Sequence, residues 1–126
     1  PFLGWAMSAV GYVPVERGSR KSQEQCMLKA AEHINNKIPM GFFPEGTRSL
    51  TGEVGIFKTG AFRLAQATGV RIIPISIQGC GKLLPKHSFI PNTAIVTITV
   101  HPPIPSNEYD MPTLIQKARE SILSGL

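Results

Sequence analysis

The sequence predicts an α/β fold, with a central, mainly β-sheet flanked by helices. Apolar residues recur at helical intervals in three segments, and β-branched or strictly alternating apolar runs form strand-like segments between them. Helices and strands therefore alternate along much of the chain, which is typical of α/β proteins. At 126 residues and 42% hydrophobic content, the chain fits one compact domain with its own core, spanning residues 1–126.

The first third of the chain predicts a short buried helix over Pro1–Val10, a strand-like run over Gly11–Val15 and then a longer helix. Ser22 followed by Gln25 has the spacing of a capping box, which places the start of that helix at Ser22. Asn35-Asn36 is a natural left-handed stop. The buried face of this helix is predicted to comprise Cys26, Met27, Ala30, Ala31 and Ile34.

The middle of the chain begins with an apolar, partly aromatic strand over Ile38–Phe43 that Pro44 and Gly46 end. A loop with a turn at Thr51-Gly52 follows. Thr59 is then positioned to cap a helix that runs to about Thr68 and stops at Gly69. The buried side of this helix is predicted to comprise Ala61, Phe62, Leu64 and Ala65.

The last third predicts two strands and a helix. Arg71–Ile77 is β-branched and contains Pro74, which removes one ladder bond, and 94–100 alternates with period two. His101 is predicted as a surface residue at the strand end, followed by an extended connector over 102–105. Asp110 and Pro112 predict the start of a helix that runs to about Ser124. Its predicted apolar face comprises Leu114, Ile115, Ala118, Ile122 and Leu123.

Composition limits the classes of partner. Thirteen Lys and Arg against eight Asp and Glu give a net charge of +5 and a pI near 9.6, which favours an anionic partner such as phosphate, nucleic acid or a membrane surface without choosing among them. Cys26 and Cys80 form no CxxC or Cys/His cluster, so we expect reduced thiols and no metal site. No apolar run approaches the roughly 20 residues of a membrane-spanning helix. The apolar start at Pro1 suggests that a longer protein has been cut here.

The segment Phe42–Ser49 is the first candidate for function. Its apolar residues stop at Pro44 and open into a charged turn with Glu45 and Arg48, and loops that leave the carboxyl ends of strands are the usual place for ligand sites in α/β proteins. The alternative is a surface turn in which the two charges form an exposed ion pair of about 0–1 kcal/mol. A second basic turn, 16–21, also follows apolar sequence, and a solvated basic loop is equally consistent with it.

The run Phe-Pro-Glu-Gly-Thr-Arg-Ser over 43–49 resembles the signature of the glycerophospholipid acyltransferases, especially the 1-acylglycerol-3-phosphate (lysophosphatidate) acyltransferases. Three further segments resemble other blocks of that family in the family's order: 11–17, 57–62 and 73–75. Gly4-Trp5-Ala6-Met7 and Gly79-Cys80-Gly81-Lys82 are most similar to the bacterial and plastid branch.

The resemblance implies roles for particular residues. It implies that Arg17 binds the phosphate of the acyl acceptor and that Ile73, Pro74 and Ile75 lie on the acyl-donor side. The other implied acceptor-binding residues are Glu45, Gly46, Thr47 and Arg48. Lys58 stands at a predicted helix N-terminus, where anions are favoured. If Arg17, Arg48 and Lys58 bind one phosphate, they must face a common cleft, with Glu45 orienting an arginine or the glycerol hydroxyl.

The family also has a His-x-x-x-x-Asp block that supplies its general base, and this chain does not contain it. Its one aspartate is Asp110, and its histidines are His33, His87 and His101. The run from His87 to Asn92 has the spacing, but it carries Asn in place of Asp and follows the other blocks. We therefore expect residues 1–126 to be the carboxyl-terminal part of a single, incomplete acyltransferase domain, with no catalytic residue in this chain and the His-x-x-x-x-Asp block encoded upstream of Pro1.

The resemblance implies transfer of a fatty acyl chain to lysophosphatidate to give phosphatidate, a step of phospholipid biosynthesis. The acyl thioester donor would be acyl-coenzyme A or acyl-carrier protein, with no cofactor and no nucleic acid. It implies contact with a membrane surface, in a plastid or at a bacterial inner membrane. Acylation of another lysophospholipid or of glycerol 3-phosphate, and a non-enzymatic phosphate- or RNA-binding module, remain alternatives, although the RNP, KH, GxGxxG and GxxxxGK[ST] patterns are absent.

Overall fold

The structure, a computed structural model, describes residues 20–47, 49, 51–83, 90 and 92–126. The chain divides into two compact units, Pro1–Gly41 and Phe42–Leu126. The helix predicted over Pro1–Val10 and the strand predicted over Gly11–Val15 lie outside the described residues. The assignment of residues 1–126 to one domain stays a prediction.

Helix α1, Arg20–Asn35, makes up most of the described part of the first unit. Cys26 and Ala30 are buried on its predicted face, as expected. The helix begins two residues before Ser22, so the N-cap prediction was wrong, since Arg and Lys at its start are good helix formers that extend it. Its end also differs. Lys37, with φ of 62°, takes the left-handed position predicted for the asparagines, and Ile38 N–H donates to the His33 carbonyl at 2.9 Å in a Schellman-type stop.

The strand predicted over Ile38–Phe43 does not form. A strand exists through ladder hydrogen bonds to a neighbour, and none of the described strands pairs with this segment. Pro39 lacks a donor, and the Phe43 side chain is 82% exposed. The prediction of a strand here was therefore wrong: the composition is typical of a strand, but the pairing that would make it one is not found among the described residues.

Helix α2, Gly60–Thr68, has the predicted bounds. Gly69 adopts φ of 70° at its C-cap, and its N–H reaches the carbonyls of the last turn. Thr59 occupies the N-cap position, but its side chain makes no capping hydrogen bond. Phe62, Leu64 and Ala65 are buried as predicted.

Four short strands form two antiparallel pairs in the described part of the chain. Strand β1, Arg71–Ile72, pairs with β4, Ile104–Pro105, and β2, Ile75–Gln78, pairs with β3, Thr97–Val100. The single strand predicted over Arg71–Ile77 is thus interrupted at 73–74, where Pro74 has no N–H to donate. A short helix that the sequence did not predict, α3, Cys80–Leu83, follows β2, and part of the predicted extended connector is β4. Small sheets flanked by helices confirm the α/β class.

The core of the second unit lies where helix α4, Met111–Ser124, meets the segment before α2 and strand β4. Asp110 caps α4 as predicted, with its side chain accepting from Thr113 N–H at 3.2 Å. The Phe57 and Phe62 rings stack with centroids 6.3 Å apart. The buried cluster comprises Phe57, Phe62, Ile104, Leu114 and Ala118. Leu123, predicted on the buried face of α4, is 42% exposed.

A polar contact joins the end of α4 to strands β2 and β3. Ser76 is fully buried, and its hydroxyl donates to the Ile122 carbonyl at 2.6 Å. His101, half-buried and not the surface residue predicted, lies with Nε2 2.7 Å from the same hydroxyl. Because the only hydroxyl proton goes to the carbonyl, Nε2–H must be the donor to Ser76 Oγ. Gly125 packs so closely here that a Cβ on it would lie 2.6 Å from Ser76 Oγ.

We expect Ser76→Ala to lower the free energy of unfolding by about 1–3 kcal/mol, because it leaves the Ile122 carbonyl and the His101 N–H without their partner. Urea unfolding of the complete protein checks this. The matched control is Ser124→Ala on α4, whose exposed hydroxyl donates within its own turn, so a change within about 0.5 kcal/mol is expected. Equal losses in the two variants would contradict the role assigned to Ser76.

Candidate functional site

The predicted acceptor motif forms a tight turn at the start of the second unit. Gly46 N–H donates to the Phe43 carbonyl at 3.0 Å, and Gly46 has φ of 70°, a conformation in which a residue with a Cβ is strained. Glu45 is half-buried and Thr47 is exposed. A glycine is therefore required at this point by the backbone itself, apart from any ligand.

Hydrogen bonds at Glu45 and Pro44 tie this turn to the segment 51–58. Gly55 N–H donates to Glu45 Oε2 at 2.8 Å, and Lys58 N–H donates to the Pro44 carbonyl at 2.8 Å. The segment begins with the predicted Thr51-Gly52 turn, in which Gly52 has φ of 85°. Since the segment has no regular secondary structure, its backbone groups depend on such individual partners for their orientation.

Lys58 lies directly over the motif glycine. A Cβ on Gly46 would be 3.0 Å from Lys58 Nζ and 3.1 Å from its Cε. The neighbouring Phe57 is buried in the core, whereas Lys58 is exposed. Lys58 also immediately precedes Thr59, the N-cap of α2, whose side chain does not occupy the first N–H groups of that helix. The turn thus combines a cation with a helix N-terminus, the two features that favour a bound anion.

The structure brings together some of the predicted site residues and leaves others untested. Glu45, Gly46 and Lys58 share one hydrogen-bonded loop system, with Thr47 next in the turn. Arg17 and Arg48 lie outside the described residues, as does His87, so the shared phosphate site of Arg17, Arg48 and Lys58 stays a prediction.

The donor-side segment Ile73–Ile75 spans the break between β1 and β2. Pro74 is buried there, and its carbonyl accepts from His101 N–H at 3.0 Å. Ile73 and Ile75 are 56% and 46% exposed. Two aliphatic side chains left accessible are compatible with an apolar ligand, and their role on the acyl-donor side stays a prediction.

The sequence did not predict one residue that contacts this loop system. Arg119 of α4 donates from Nη2 to the Val54 carbonyl at 2.9 Å, beside the Gly55 N–H that Glu45 accepts. No sequence pattern could have identified it, because an arginine on the polar side of an amphipathic helix is ordinarily solvated. Glu45 can accept further hydrogen bonds, since a carboxylate has about four acceptor positions and Gly55 N–H uses one of them.

The Ser76–His101 pair is not a catalytic site. A serine hydroxyl within reach of an imidazole is the arrangement of a nucleophile with its base, but this serine has no exposed surface. Its proton is donated to Ile122, and the facing imidazole nitrogen carries a proton and cannot accept another. The contact is therefore structural.

The described part of the chain contains no candidate metal cluster and no candidate membrane-spanning helix. No group of His, Cys, Asp and Glu side chains there is placed to hold a metal ion. None of the described helices combines the length and the apolar content needed to cross a bilayer. Cys26 and Cys80 are free thiols, as the sequence predicted.

Comparison with known proteins gives one consistent result. The acyltransferase family model matches residues 1–78. The chain is 40% identical over 127 residues to the chloroplastic 1-acyl-sn-glycerol-3-phosphate acyltransferase LPAT1 of Arabidopsis thaliana, covering all of this chain and 35% of that protein. It is 30% identical to the 1-acyl-sn-glycerol-3-phosphate acyltransferase of Borreliella burgdorferi, covering all of this chain and 52% of that protein.

A solved structure agrees. The crystal structure of the 1-acyl-sn-glycerophosphate acyltransferase PlsC from Thermotoga maritima superposes with a TM-score of 0.85 and 28% identity, covering 99% of this chain and 50% of that one. The chain thus spans between about a third and a half of the length of these similar proteins. Since the family model alone covers more than half of the chain, and the fold of a solved member follows nearly all of it, the chain belongs to the acyltransferase family.

Proposed function

We propose that the whole protein is a 1-acyl-sn-glycerol-3-phosphate acyltransferase, which moves a fatty acyl chain from a thioester donor to lysophosphatidate and releases phosphatidate. The observation that carries the proposal is the loop system of Glu45, Gly46 and Lys58, in which the acceptor motif of this family is folded against a lysine at a helix N-terminus. The names of the similar plant and bacterial proteins support the same substrate.

In this proposal the loop binds the phosphate of the acceptor. Lys58 contributes a charged donor, and Gly46 allows the ligand and the lysine to approach the backbone closely, because it has no side chain. Arg17 and Arg48 contribute further cations. Glu45 accepts from Gly55 with one oxygen and offers remaining lone pairs to the glycerol hydroxyl or to an arginine, away from the phosphate charge that would repel it.

The reaction needs a general base that the described site does not supply. The hydroxyl oxygen of the acceptor forms an ester bond to the acyl carbon, the carbon–sulfur bond breaks, and the hydroxyl proton is removed as the thiol leaves. The family's His-x-x-x-x-Asp block would remove that proton. We propose that this block precedes Pro1 in the reading frame, as the order of the other blocks indicates.

The donor and the location are further parts of the proposal. Acyl-coenzyme A and acyl-carrier protein both present the required thioester, and no cofactor is needed beyond that co-substrate. The positive net charge of the chain favours an anionic membrane surface, where lysophosphatidate resides. The chloroplastic and bacterial relatives support a plastid or bacterial inner membrane as that surface.

We expect Lys58→Met in the complete protein to raise the KM for lysophosphatidate by roughly tenfold or more, because a hydrogen bond to a charged group contributes about 1.5–3 kcal/mol. Initial rates of phosphatidate formation at varied lysophosphatidate check this. Lys58→Arg should retain most of the affinity.

The matched control is Lys29→Met, which removes an exposed lysine from α1 and should leave KM within about twofold of the original value. An unchanged KM in Lys58→Met would show that the loop does not bind the acceptor phosphate. A shared rise in both variants would indicate a general loss of charge attraction to the membrane rather than a site.

We expect residues 1–126 alone to be inactive and the complete protein to be active, since general-base catalysis contributes about 10²- to 10⁴-fold and no described histidine is suitably placed. Turnover by the purified chain 1–126 would refute this and turn attention to His87.

A complete reading frame without the His-x-x-x-x-Asp block would overturn the proposed function. Tests with other lysophospholipids and glycerol 3-phosphate define the acceptor.

A further inference from the structure

One peptide group in the segment 51–58 is held at both of its polar ends by charged side chains. The Val54 carbonyl accepts from Arg119 Nη2 at 2.9 Å, and the Gly55 N–H donates to Glu45 Oε2 at 2.8 Å. These two atoms belong to the same peptide unit. In a trans peptide the carbonyl and the N–H point in opposite directions, so Arg119 and Glu45 lie on opposite sides of it.

The arrangement is electrostatically matched. The cation faces the negative end of the peptide dipole, and the anion faces its positive end. Each contact is a charge-assisted hydrogen bond, which is stronger than a neutral one, and bonds in series polarise one another. Either bond therefore strengthens the other, and loss of the Arg119 bond weakens the hold of Gly55 on the Glu45 carboxylate.

Arg119 is anchored more firmly than the segment it binds. Its neighbour Ala118 and residue Leu114 are 2% and 0% exposed on α4, and the helix is fixed at one end by the Asp110 cap and near the other by the Ser76 bond to Ile122. Residues 51–58 have no ladder or helix bonds of their own. The helix is thus the fixed support, and the loop is what Arg119 positions.

We propose that Arg119 is a positioning residue for the acceptor site: it fixes the Val54–Gly55 peptide, and through it the Glu45 carboxylate beside Gly46 and Lys58. The inference rests on the proposed function, because it assigns Arg119 to the binding of the same acceptor. Arg119 acts through Glu45 and is not itself placed against the substrate.

The test is a double-mutant cycle in the complete protein with lysophosphatidate as the varied substrate. Arg119→Met should raise KM by about 3- to 10-fold and leave kcat within about twofold, since it weakens acceptor binding and leaves the chemical step unchanged. Arg119→Lys should restore part of the affinity, because an ammonium can also donate to the Val54 carbonyl. In the Glu45→Ala background, Arg119→Met should add less than about a twofold rise, because both changes break one chain of contacts.

The matched control is Arg63→Met, an exposed arginine on α2, which should leave KM unchanged. Hydrogen exchange gives an independent measurement: the Gly55 amide should exchange faster in Arg119→Met and Arg119→Lys than in Arg63→Met. If Arg119→Met does not fold, the exchange comparison with Arg119→Lys decides, and equal Gly55 rates overturn the inference.

The remaining outcomes separate this inference from the proposed function. If Glu45→Ala raises KM and Arg119→Met does not, or if the two effects multiply, the positioning role fails and the acceptor site stands. If Glu45→Ala leaves KM unchanged in a folded protein, the acceptor site itself fails, whatever the Gly55 exchange rate shows.

Discussion

The burial of Phe57 is the constraint on which the rest of the second unit depends. Its side chain is 6% exposed and stacks on Phe62 of α2, in the cluster that includes Leu114 of α4. Burying an aromatic ring of this size contributes about 1.5–3 kcal/mol. Phe57 is buried, whereas the next residue, Lys58, is exposed and lies over Gly46. The core and the candidate site are therefore adjacent positions of one segment.

The pair of strands β2 and β3 shows a different balance. The register sets Ile75 opposite Val100 and Ile77 opposite Ile98, and all four side chains are 40–65% exposed. The covered face instead carries Ser76, whose hydroxyl is bonded to α4. A two-stranded sheet is marginal by itself, so this pair depends on its contact with the helix. The helix contact is polar, and the apolar face of the pair is the accessible one in this structure.

This reversal shows what the sequence could predict and what it could not. Alternation predicted a strand over 94–100, of which only Thr97–Val100 forms, and it did not predict which face would be covered, since that depends on distant elements. Helix ends at Gly69 and Asp110 were predictable because their signals are local. The segment Ile38–Phe43 was not, because a strand requires a partner. The same holds for the candidate site. Glu45, Gly46 and Lys58 lie in recognisable sequence motifs and could be predicted, whereas Arg119 contacts Val54 across 65 residues of sequence and could not.

The position of Glu45 resolves an apparent conflict within the motif. An acid placed among residues that we propose to bind phosphate should weaken binding, because like charges repel. In this structure the carboxylate is half-buried and directed at the Gly55 N–H, whereas Lys58 crosses the motif glycine and remains exposed. The acid holds its own loop, and the cation is the exposed charge of the pair. A carboxylate already fixed by the backbone does not have to be ordered when the acceptor binds, which reduces the entropy cost of binding.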